Sequence, residues 1–208
     1  MQIAVYDEAQ FNYLVYFPKC YDETKKYPLM LFLHGMGERG NELSILKRTG
    51  IPKIFDCDVD YEVIVVSPQC PENLTWNSRP EKLFRFLQWI IKKYNADEDA
   101  VSITGLSMGG FGTWQLIADY PQIFSAAAPI CGGRASVLER AASVPIRIYH
   151  GEKDDVVSVM YSKDAYEILK RHNAKDVELF IYPECYHDSW TKAYEQTDLI
   201  DWLISKRK

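Results

Sequence analysis

The segment Gly-Leu-Ser-Met-Gly at residues 105–109 restricts the possible folds of this chain more than any other feature. A β-branched run at residues 100–104 precedes it and predicts a buried strand, and residues 111–120 after it predict a helix. A G-x-S-x-G pattern between a strand and a helix is typical of a nucleophile elbow, a tight turn that holds a serine hydroxyl above a sheet. The two glycines are required because the strand and helix backbones approach so closely that a Cβ there would collide. The segment therefore predicts Ser107 as a nucleophile.

Short apolar runs alternate with amphipathic stretches along the rest of the chain, which predicts an α/β protein. After the first two, the apolar runs are nearly continuous, as in strands buried on both faces of a parallel sheet. The sequence therefore predicts a three-layer α/β/α sandwich whose mostly parallel sheet has about eight strands and opens with an antiparallel pair. The predicted strands are residues 3–6, 11–17, 27–33, 61–66, 101–104, 124–130, 145–149 and 177–182, and the helices besides that at 111–120 are 81–94, 159–172 and 197–205.

Length and charge limit the possible partners. A chain of 208 residues fits one domain, residues 1–208, and no change in composition marks a second one. The net charge of -5 disfavours binding to nucleic acid or to an anionic membrane, and the one basic cluster, residues 206–208, is a terminal tail. No apolar run approaches the roughly 18 residues of a membrane span.

The five cysteines are scattered and odd in number, without C-x-x-C spacing. This pattern favours free thiols over a disulfide framework or a zinc site. The first residues also lack the basic start and apolar core of a signal peptide. We therefore expect a cytoplasmic protein, although a secreted chain without its export signal would look the same.

A serine nucleophile needs a base, and the chain holds four histidines. In proteins with this elbow the order along the chain is serine, acid, histidine, so His34 and His150 come too early. His172 ends a predicted helix, where an imidazole usually meets the helix dipole or water. His187 follows the last predicted strand in a loop, which is where the base is expected. His187 is therefore the predicted base.

The acid is expected in the loop after the preceding predicted strand. Both Asp154 and Asp155 lie in that loop, and either carboxylate could accept the Nδ1 proton of the imidazole. The residues alone leave this choice open.

A glycine-rich turn at residues 34–40, His-Gly-Met-Gly-Glu-Arg-Gly, follows the third predicted strand. Such a turn lets backbone N–H groups point at a ligand, and the oxyanion hole combines one of them with the amide after the nucleophile, that of Met108. His34 is then expected to hold the turn by hydrogen bonds. A phosphate loop is disfavoured because no Gly-Lys-Ser/Thr follows.

With these elements in place, residues 11–205 resemble an α/β-hydrolase, and most closely the small cap-less esterases. These include the carboxylesterase/acyl-protein thioesterase, dienelactone hydrolase, feruloyl esterase and polyester-depolymerase-like groups. The segments 67–71, Ser-Pro-Gln-Cys-Pro, and 187–190, His-Asp-Ser-Trp, also resemble prolyl-oligopeptidase-like peptidases. The resemblance implies Asp154 as the acid, from a His-Gly-x-x-Asp pattern, and Met36 as the first oxyanion amide.

Cap insertions in this fold usually follow the strand that ends near Cys131, yet only about a dozen residues separate it from the next strand. We therefore expect no cap domain and an open site. Trp76, Tyr186 and Trp190 lie in or near loops at the carboxyl ends of strands. They could form an acyl-binding wall, or they could be core and rim packing.

The leading hypothesis is a serine esterase that acts through an acyl-enzyme, with Ser107, His187 and Asp154 as the triad. Short-chain acyl or aryl esters of the feruloyl type are the expected substrates, and thioesters stay open. We expect a small-molecule ester as the partner and no metal or cofactor; the oligomeric state is left open. The alternatives are a peptidase or amidase, and a non-catalytic binding protein, although such relatives usually lose a triad residue or an elbow glycine.

Overall fold

Eight strands form one sheet in the computed structural model, which describes residues 2–7 and 10–208. The order of the strands across the sheet is β1-β2-β4-β3-β5-β6-β7-β8. In chain order the strands are β1 Gln2–Val5, β2 Tyr13–Tyr16, β3 Leu29–Leu33, β4 Ile64–Pro68, β5 Val101–Leu106, β6 Ala126–Ile130, β7 Ile146–Gly151 and β8 Val177–Tyr182.

The sheet is parallel from β4 to β8 and antiparallel at its other edge, where β1 pairs with β2 and β2 pairs with β4. This arrangement confirms the predicted fold class, a mostly parallel eight-stranded sheet opened by an antiparallel hairpin. Because strands β3 to β8 run in one direction, the loops that follow them meet at a single edge.

Helices cover both faces of the sheet and complete the three predicted layers. The helices are α1 Gly50–Phe55, α2 Pro80–Lys93, α3 Met108–Asp119, α4 Met160–Arg171, α5 Trp190–Glu195 and α6 Leu199–Ser205. Buried residues of α2, α3 and α4 join one hydrophobic core, and those of α1, α5 and α6 join the other.

Strand β3 shows how the sequence supplies both cores. Leu29, Leu31 and Leu33 belong to the first core, whereas Met30 and Phe32 belong to the second. Successive side chains of a strand point to opposite faces, so an uninterrupted apolar run is what a strand between two layers of helices requires.

The predicted and observed elements differ most where local sequence signals are weak. Strand β3 begins two residues later than predicted, after Pro28, which has no N–H to donate to a neighbouring strand. Helix α3 begins at Met108 instead of residue 111, because the elbow turn leads directly into it. Helices α1 and α5 were not predicted, and with six residues each they are too short to show a clear helical period.

The connection from β6 to β7 contains a 3-10 helix, Leu138–Ser143, which buries Leu138 and Ala141. Both of these side chains belong to the first core, so this segment packs against the body of the protein. Within the described part of the chain, no helix has the length and apolar character that crossing a bilayer requires.

Helix α3 packs against β3 at the shortest distance that the backbones allow. A Cβ on Gly109 would overlap the carbonyl group of Leu33, and one on Gly105 would lie 2.5 Å from the carbonyl oxygen of Gly109. Both are contacts with backbone atoms, which cannot turn aside as a side chain can. These two glycines therefore set the height of the turn between β5 and α3.

We predict that Gly109→Ala lowers the free energy of unfolding by about 3 kcal/mol or more, because helix α3 must move away from β3 to admit the methyl group. Urea unfolding of the purified protein measures the change. Gly37→Ala is the matched control, since a Cβ there meets no atom within 4 Å, and it should stay within about 0.5 kcal/mol of the wild type. Equal stability of the two variants would contradict the prediction.

Candidate active site

Three predicted site residues follow three strands of the parallel part of the sheet. Ser107 follows β5, Asp154 follows β7 and His187 lies in the loop after β8. The structure brings their side chains together in one row at the carboxyl edge of the sheet.

Ser107 has a backbone conformation that is unusual for any residue other than glycine. Its φ is 52° and its ψ is -116°, as the sharp reversal from β5 into α3 demands. Such a conformation costs on the order of 1–3 kcal/mol and persists only where the surrounding packing fixes it. The hydroxyl consequently stands at the N-terminus of α3, where the helix dipole stabilises negative charge.

The imidazole of His187 joins the serine to the aspartate. Its Nδ1 lies 2.8 Å from Oδ2 of Asp154, and its Nε2 lies 2.9 Å from Oγ of Ser107. A carboxylate can only accept, so Nδ1 carries the proton and Nε2 is free to accept the serine proton. This is the arrangement that a general base for Ser107 requires.

The carboxylate of Asp154 is fully buried but well supplied with donors. Its Oδ1 accepts the backbone N–H groups of Val156 and Val157, each at 2.9 Å. Burial by itself would raise the pKa of Asp154, but the hydrogen bonds from His187, Val157 and Val156 outweigh burial and hold this pKa below its usual value. Asp154 is therefore ionised at neutral pH and can orient the imidazole.

The other candidates for acid and base lie outside this row. Asp155 is exposed to solvent, and its neighbour Asp154 makes the contact with His187. His172 caps the C-terminal end of α4 and is also exposed.

The glycine-rich turn after β3 lies beside the serine. Met36 begins a short 3-10 helix and Met108 begins α3, so neither N–H has an acceptor within its own helix. Both residues line the groove that contains Ser107. The structure therefore brings both predicted oxyanion residues to the same groove as Ser107.

His34 fixes this turn and is buried. Its Nε2 accepts the backbone N–H of Cys70 at 2.9 Å, so the proton is on Nδ1, which donates to the carbonyl oxygen of Gly35. Burial lowers the pKa of His34 to about 4, and the imidazole is neutral at pH 7. This geometry is the structural role that the sequence predicted for His34.

Two further side chains hold the turn, and the sequence did not identify them. The amide of Gln69 donates to the carbonyl oxygens of Glu38 and Glu42, and the guanidinium of Arg39 donates to that of Met36. Gln69 belongs to the Ser-Pro-Gln-Cys-Pro segment that carried part of the family resemblance, which was the available signal.

Trp76 corrects the substrate-binding prediction. Its side chain is only 3% exposed, it packs against Phe11 and His34, and its indole N–H donates to the carbonyl oxygen of His34 at 2.9 Å. The residue is part of the core beneath the glycine-rich turn at residues 34–40 and does not line the groove.

Tyr186 and Trp190 do not form the predicted aromatic wall either. Tyr186 is largely exposed on the loop that carries His187. Trp190 packs at the edge of the second core, and its ring meets the imidazole of His187 edge to face at 5.5 Å. Neither side chain lines the groove beside Ser107, and Trp190 packs against the imidazole of His187.

The groove beside Ser107 has a volume of about 500 Å³ and is mainly apolar. Its walls come from the glycine-rich turn after β3, the segment after β4, the start of α3 and the loop after Asp154. The lining residues other than Ser107 are Met36, Thr75, Asn77, Met108, Phe111, Val156 and Val157. Phe111 lies two residues after the elbow, and Val156-Val157 directly follow the acidic pair. The proximity of these three residues to the triad residues in sequence is therefore the signal that could have identified them as groove residues.

Cys131, which follows β6, is buried close to the same row. Its sulfur and one ligand atom each of Asp154 and His187 lie within 4.8 Å of one another, a grouping that could in principle hold a metal ion. Burial raises the pKa of this thiol to about 12, so it is protonated, and the facing atoms of Asp154 and His187 already bond to each other. A metal would have to displace that hydrogen bond.

Comparison with known proteins agrees with this geometry. The sequence model of the dienelactone hydrolase family matches residues 54–198, which is more than half of the chain. The bifunctional acetylxylan esterase/xylanase XynS20E of Neocallimastix patriciarum is 31% identical over 137 residues, which cover 63% of this chain and 20% of that protein.

Two further relatives are also esterases. Feruloyl esterase B of Neurospora crassa is 30% identical over 131 residues, covering 57% of this chain and 43% of its own length. The crystal structure of a thermostable esterase superposes with a TM-score of 0.82 at 29% identity, covering all of this chain and 63% of the other. The chain therefore spans less than two thirds of each of these three relatives.

We predict that His34 makes the folded protein sensitive to mild acid. Its pKa is about 4 when folded and 6.5 when unfolded, so its contribution is complete above pH 6.5 and is lost as the pH falls from 6.5 towards 4. In this window the unfolded chain takes up a proton that the folded chain excludes, which costs roughly 1.4 kcal/mol per pH unit.

Urea unfolding at pH 7.5 and pH 5.0 measures this loss. His34→Gln should lose about 2 kcal/mol less than the wild type between the two pH values, whatever its stability at pH 7.5. The exposed His172→Gln variant should match the wild type. A His34→Gln variant with the full wild-type pH dependence would show that His34 is not the group responsible.

Proposed function

The chain belongs to the dienelactone hydrolase family, and on that premise we propose that it hydrolyses carboxylic esters through an acyl-enzyme on Ser107. The observation that carries the proposal is the hydrogen-bonded row from Ser107 through His187 to Asp154. Its tautomer, its ionised carboxylate and its position at the N-terminus of α3 are those that acyl transfer requires.

In the first half of the reaction, Oγ of Ser107 attacks the ester carbonyl carbon while its proton moves to Nε2 of His187. Asp154 accepts the hydrogen bond from Nδ1–H, which holds the imidazole in place, and stabilises the imidazolium. The backbone N–H groups of Met36 and Met108 donate hydrogen bonds to the negatively charged carbonyl oxygen, a contribution often worth about 3 kcal/mol per donor.

The tetrahedral intermediate collapses when the bond to the alcohol oxygen breaks, and the imidazolium protonates the leaving alcohol. Water then attacks the acyl carbonyl carbon while His187 takes its proton. The bond to Oγ breaks, the imidazolium returns the proton to Oγ of Ser107, and the carboxylic acid leaves. Every proton step uses the same nitrogen, Nε2, and no metal or cofactor takes part in the proposed steps.

We propose that the groove holds the acyl part of a short-chain or aryl ester. Met36, Met108 and Phe111 supply apolar surface directly beside the hydroxyl, and Val156 and Val157 close the opposite wall. A volume of about 500 Å³ admits a short acyl chain or a feruloyl-type ring. Thioesters with the same acyl groups fit equally well.

We also propose that residues 1–208 act as one catalytic domain in the cytoplasm. A single sheet spans from β1 to β8, and the five cysteines form no disulfide among the described residues. Recovery of the native protein from outside the cell would contradict the location.

We predict that Ser107→Ala lowers kcat for p-nitrophenyl butyrate about 10⁶-fold, since it removes the nucleophile. Asp154→Asn should lower it about 10⁴-fold, because the amide favours the wrong imidazole tautomer. Asp155→Asn is the matched control and should retain activity. A fluorophosphonate probe should label the wild type, and digestion with mass spectrometry should locate the adduct on Ser107.

The alternatives predict other outcomes of the same measurements. A non-catalytic binding protein would resist the probe and leave all esters intact. A peptidase or amidase would cleave a short peptide anilide at a rate that rivals the esters. Ester hydrolysis that survives Ser107→Ala would remove this serine from the mechanism.

We predict that Val156→Ser selectively weakens turnover of longer acyl groups, because it removes apolar surface from the groove wall. The ratio of kcat/KM for butyrate over acetate, both as p-nitrophenyl esters, should fall about 3-fold to 10-fold. Ile3→Ser makes a comparable change on β1, at the sheet edge, and should leave the ratio unaltered. If Val156→Ser leaves this ratio unchanged but alters kcat/KM across a series of acetate esters with different alcohols, the groove binds the alcohol part and the proposed orientation is wrong.

A further inference from the structure

His150 is a fully buried histidine that the proposed reaction does not use. It lies in β7, four residues before Asp154. Buried histidines need partners for both ring nitrogens, and the partners of this one lead to the triad.

The ring contacts the acid loop on one side and α4 on the other. Its Nε2 lies 2.9 Å from the carbonyl oxygen of Val157 and 3.1 Å from Oδ2 of Asp154, and its Nδ1 lies 2.7 Å from Oγ of Ser162. A carbonyl and an ionised carboxylate can only accept, so Nε2 carries the proton. Nδ1 consequently accepts the hydroxyl proton of Ser162.

Val157 connects His150 to Asp154 by a second route. Its N–H donates to Oδ1 of Asp154, while its carbonyl accepts from His150. The side chain of His150 therefore holds the loop that positions the carboxylate, and its Nε2 also lies 3.1 Å from Oδ2. That oxygen is the one that accepts the Nδ1 proton of His187.

We propose that His150 is a positioning residue for the triad, which fixes the rotamer and the charge of Asp154 through Val157 and through direct contact with Oδ2. The inference rests on the proposed function only in that it assigns Asp154 to the triad. His150 touches no substrate atom in this role, and its second nitrogen, Nδ1, accepts the hydroxyl proton of Ser162.

The role requires a neutral imidazole. The groups that face the ring are Asp154 and the Val157 carbonyl in the loop, Ser162 in α4 and, at longer range, His187. Burial lowers the pKa of His150, although Val157 and Asp154 oppose this effect. A second cation beside Asp154 would compete with the imidazolium that forms on His187 during turnover, and a neutral ring avoids that competition.

His150→Met and His150→Gln separate positioning from packing. Methionine fills the space but donates nothing, whereas the glutamine amide can reach the position of Nε2 and donate to Val157 and Asp154. The glutamine variant also carries Ser162→Ala, which removes the hydroxyl that would lose its partner. Ser162→Ala alone and the exposed His172→Gln serve as controls, and His150→Asn, whose amide is too short, replaces His150→Met if that variant does not fold.

We expect His150→Met to lower kcat about 10-fold with little change in KM. The acid limb of its kcat/KM profile should move about 0.5 pH unit upward, because a carboxylate with fewer donors retains a proton on the adjacent imidazole more strongly. His150→Gln with Ser162→Ala should return both values to within about 2-fold of Ser162→Ala alone. His172→Gln should behave as the wild type.

A folded His150→Met variant with an unshifted acid limb would overturn the proposal, as would a glutamine variant that restores nothing, since both results indicate packing alone. The NMR resonance of the proton between His187 and Asp154 gives a readout that needs no substrate, and it should shift in His150→Met and return in the glutamine variant. If the wild type cleaves no ester, the proposed function fails, while this resonance still tests the role of His150.

Discussion

The short distance between α3 and β3 is the constraint on which the site depends. Two positions without a Cβ, Gly105 and Gly109, allow the helix to start directly above the strand. The turn between them forces Ser107 to adopt a positive φ, and its hydroxyl stands above the edge of the sheet. Packing of both cores against the sheet stabilises this turn, so the strain at the serine is balanced by burial elsewhere in the fold.

Backbone acceptors and donors decide the proton positions around this turn. Three buried or half-buried imidazoles, those of His34, His150 and His187, each have one nitrogen facing an oxygen that can only accept. Each tautomer is therefore fixed by its neighbours, and burial keeps His34 and His150 neutral at pH 7. The imidazole of His187 differs from the other two because its second nitrogen faces the hydroxyl of Ser107, which lines the groove.

The sequence predicted the framework better than the surface of the site. Apolar runs revealed the strands, and the elbow pattern with its chain order led to Ser107 and His187, because strand ends fix where loops meet. The choice between Asp154 and Asp155 needed the family resemblance, since one residue of loop register separates them. The aromatic wall failed because a tryptophan such as Trp76 suits a core as well as a groove, and only tertiary packing distinguishes the two.

The brief connection between β6 and β7 has a consequence for the size of the molecules that can be processed. None of the residues that line the groove beside Ser107 comes from this connection, so under the proposed chemistry the groove selects only the portion of an ester that enters it. Under that chemistry, the remainder of the ester lies outside the groove. Under the proposed chemistry, selectivity would reside in one end of the substrate, and the scaffold that carries it would be free to vary.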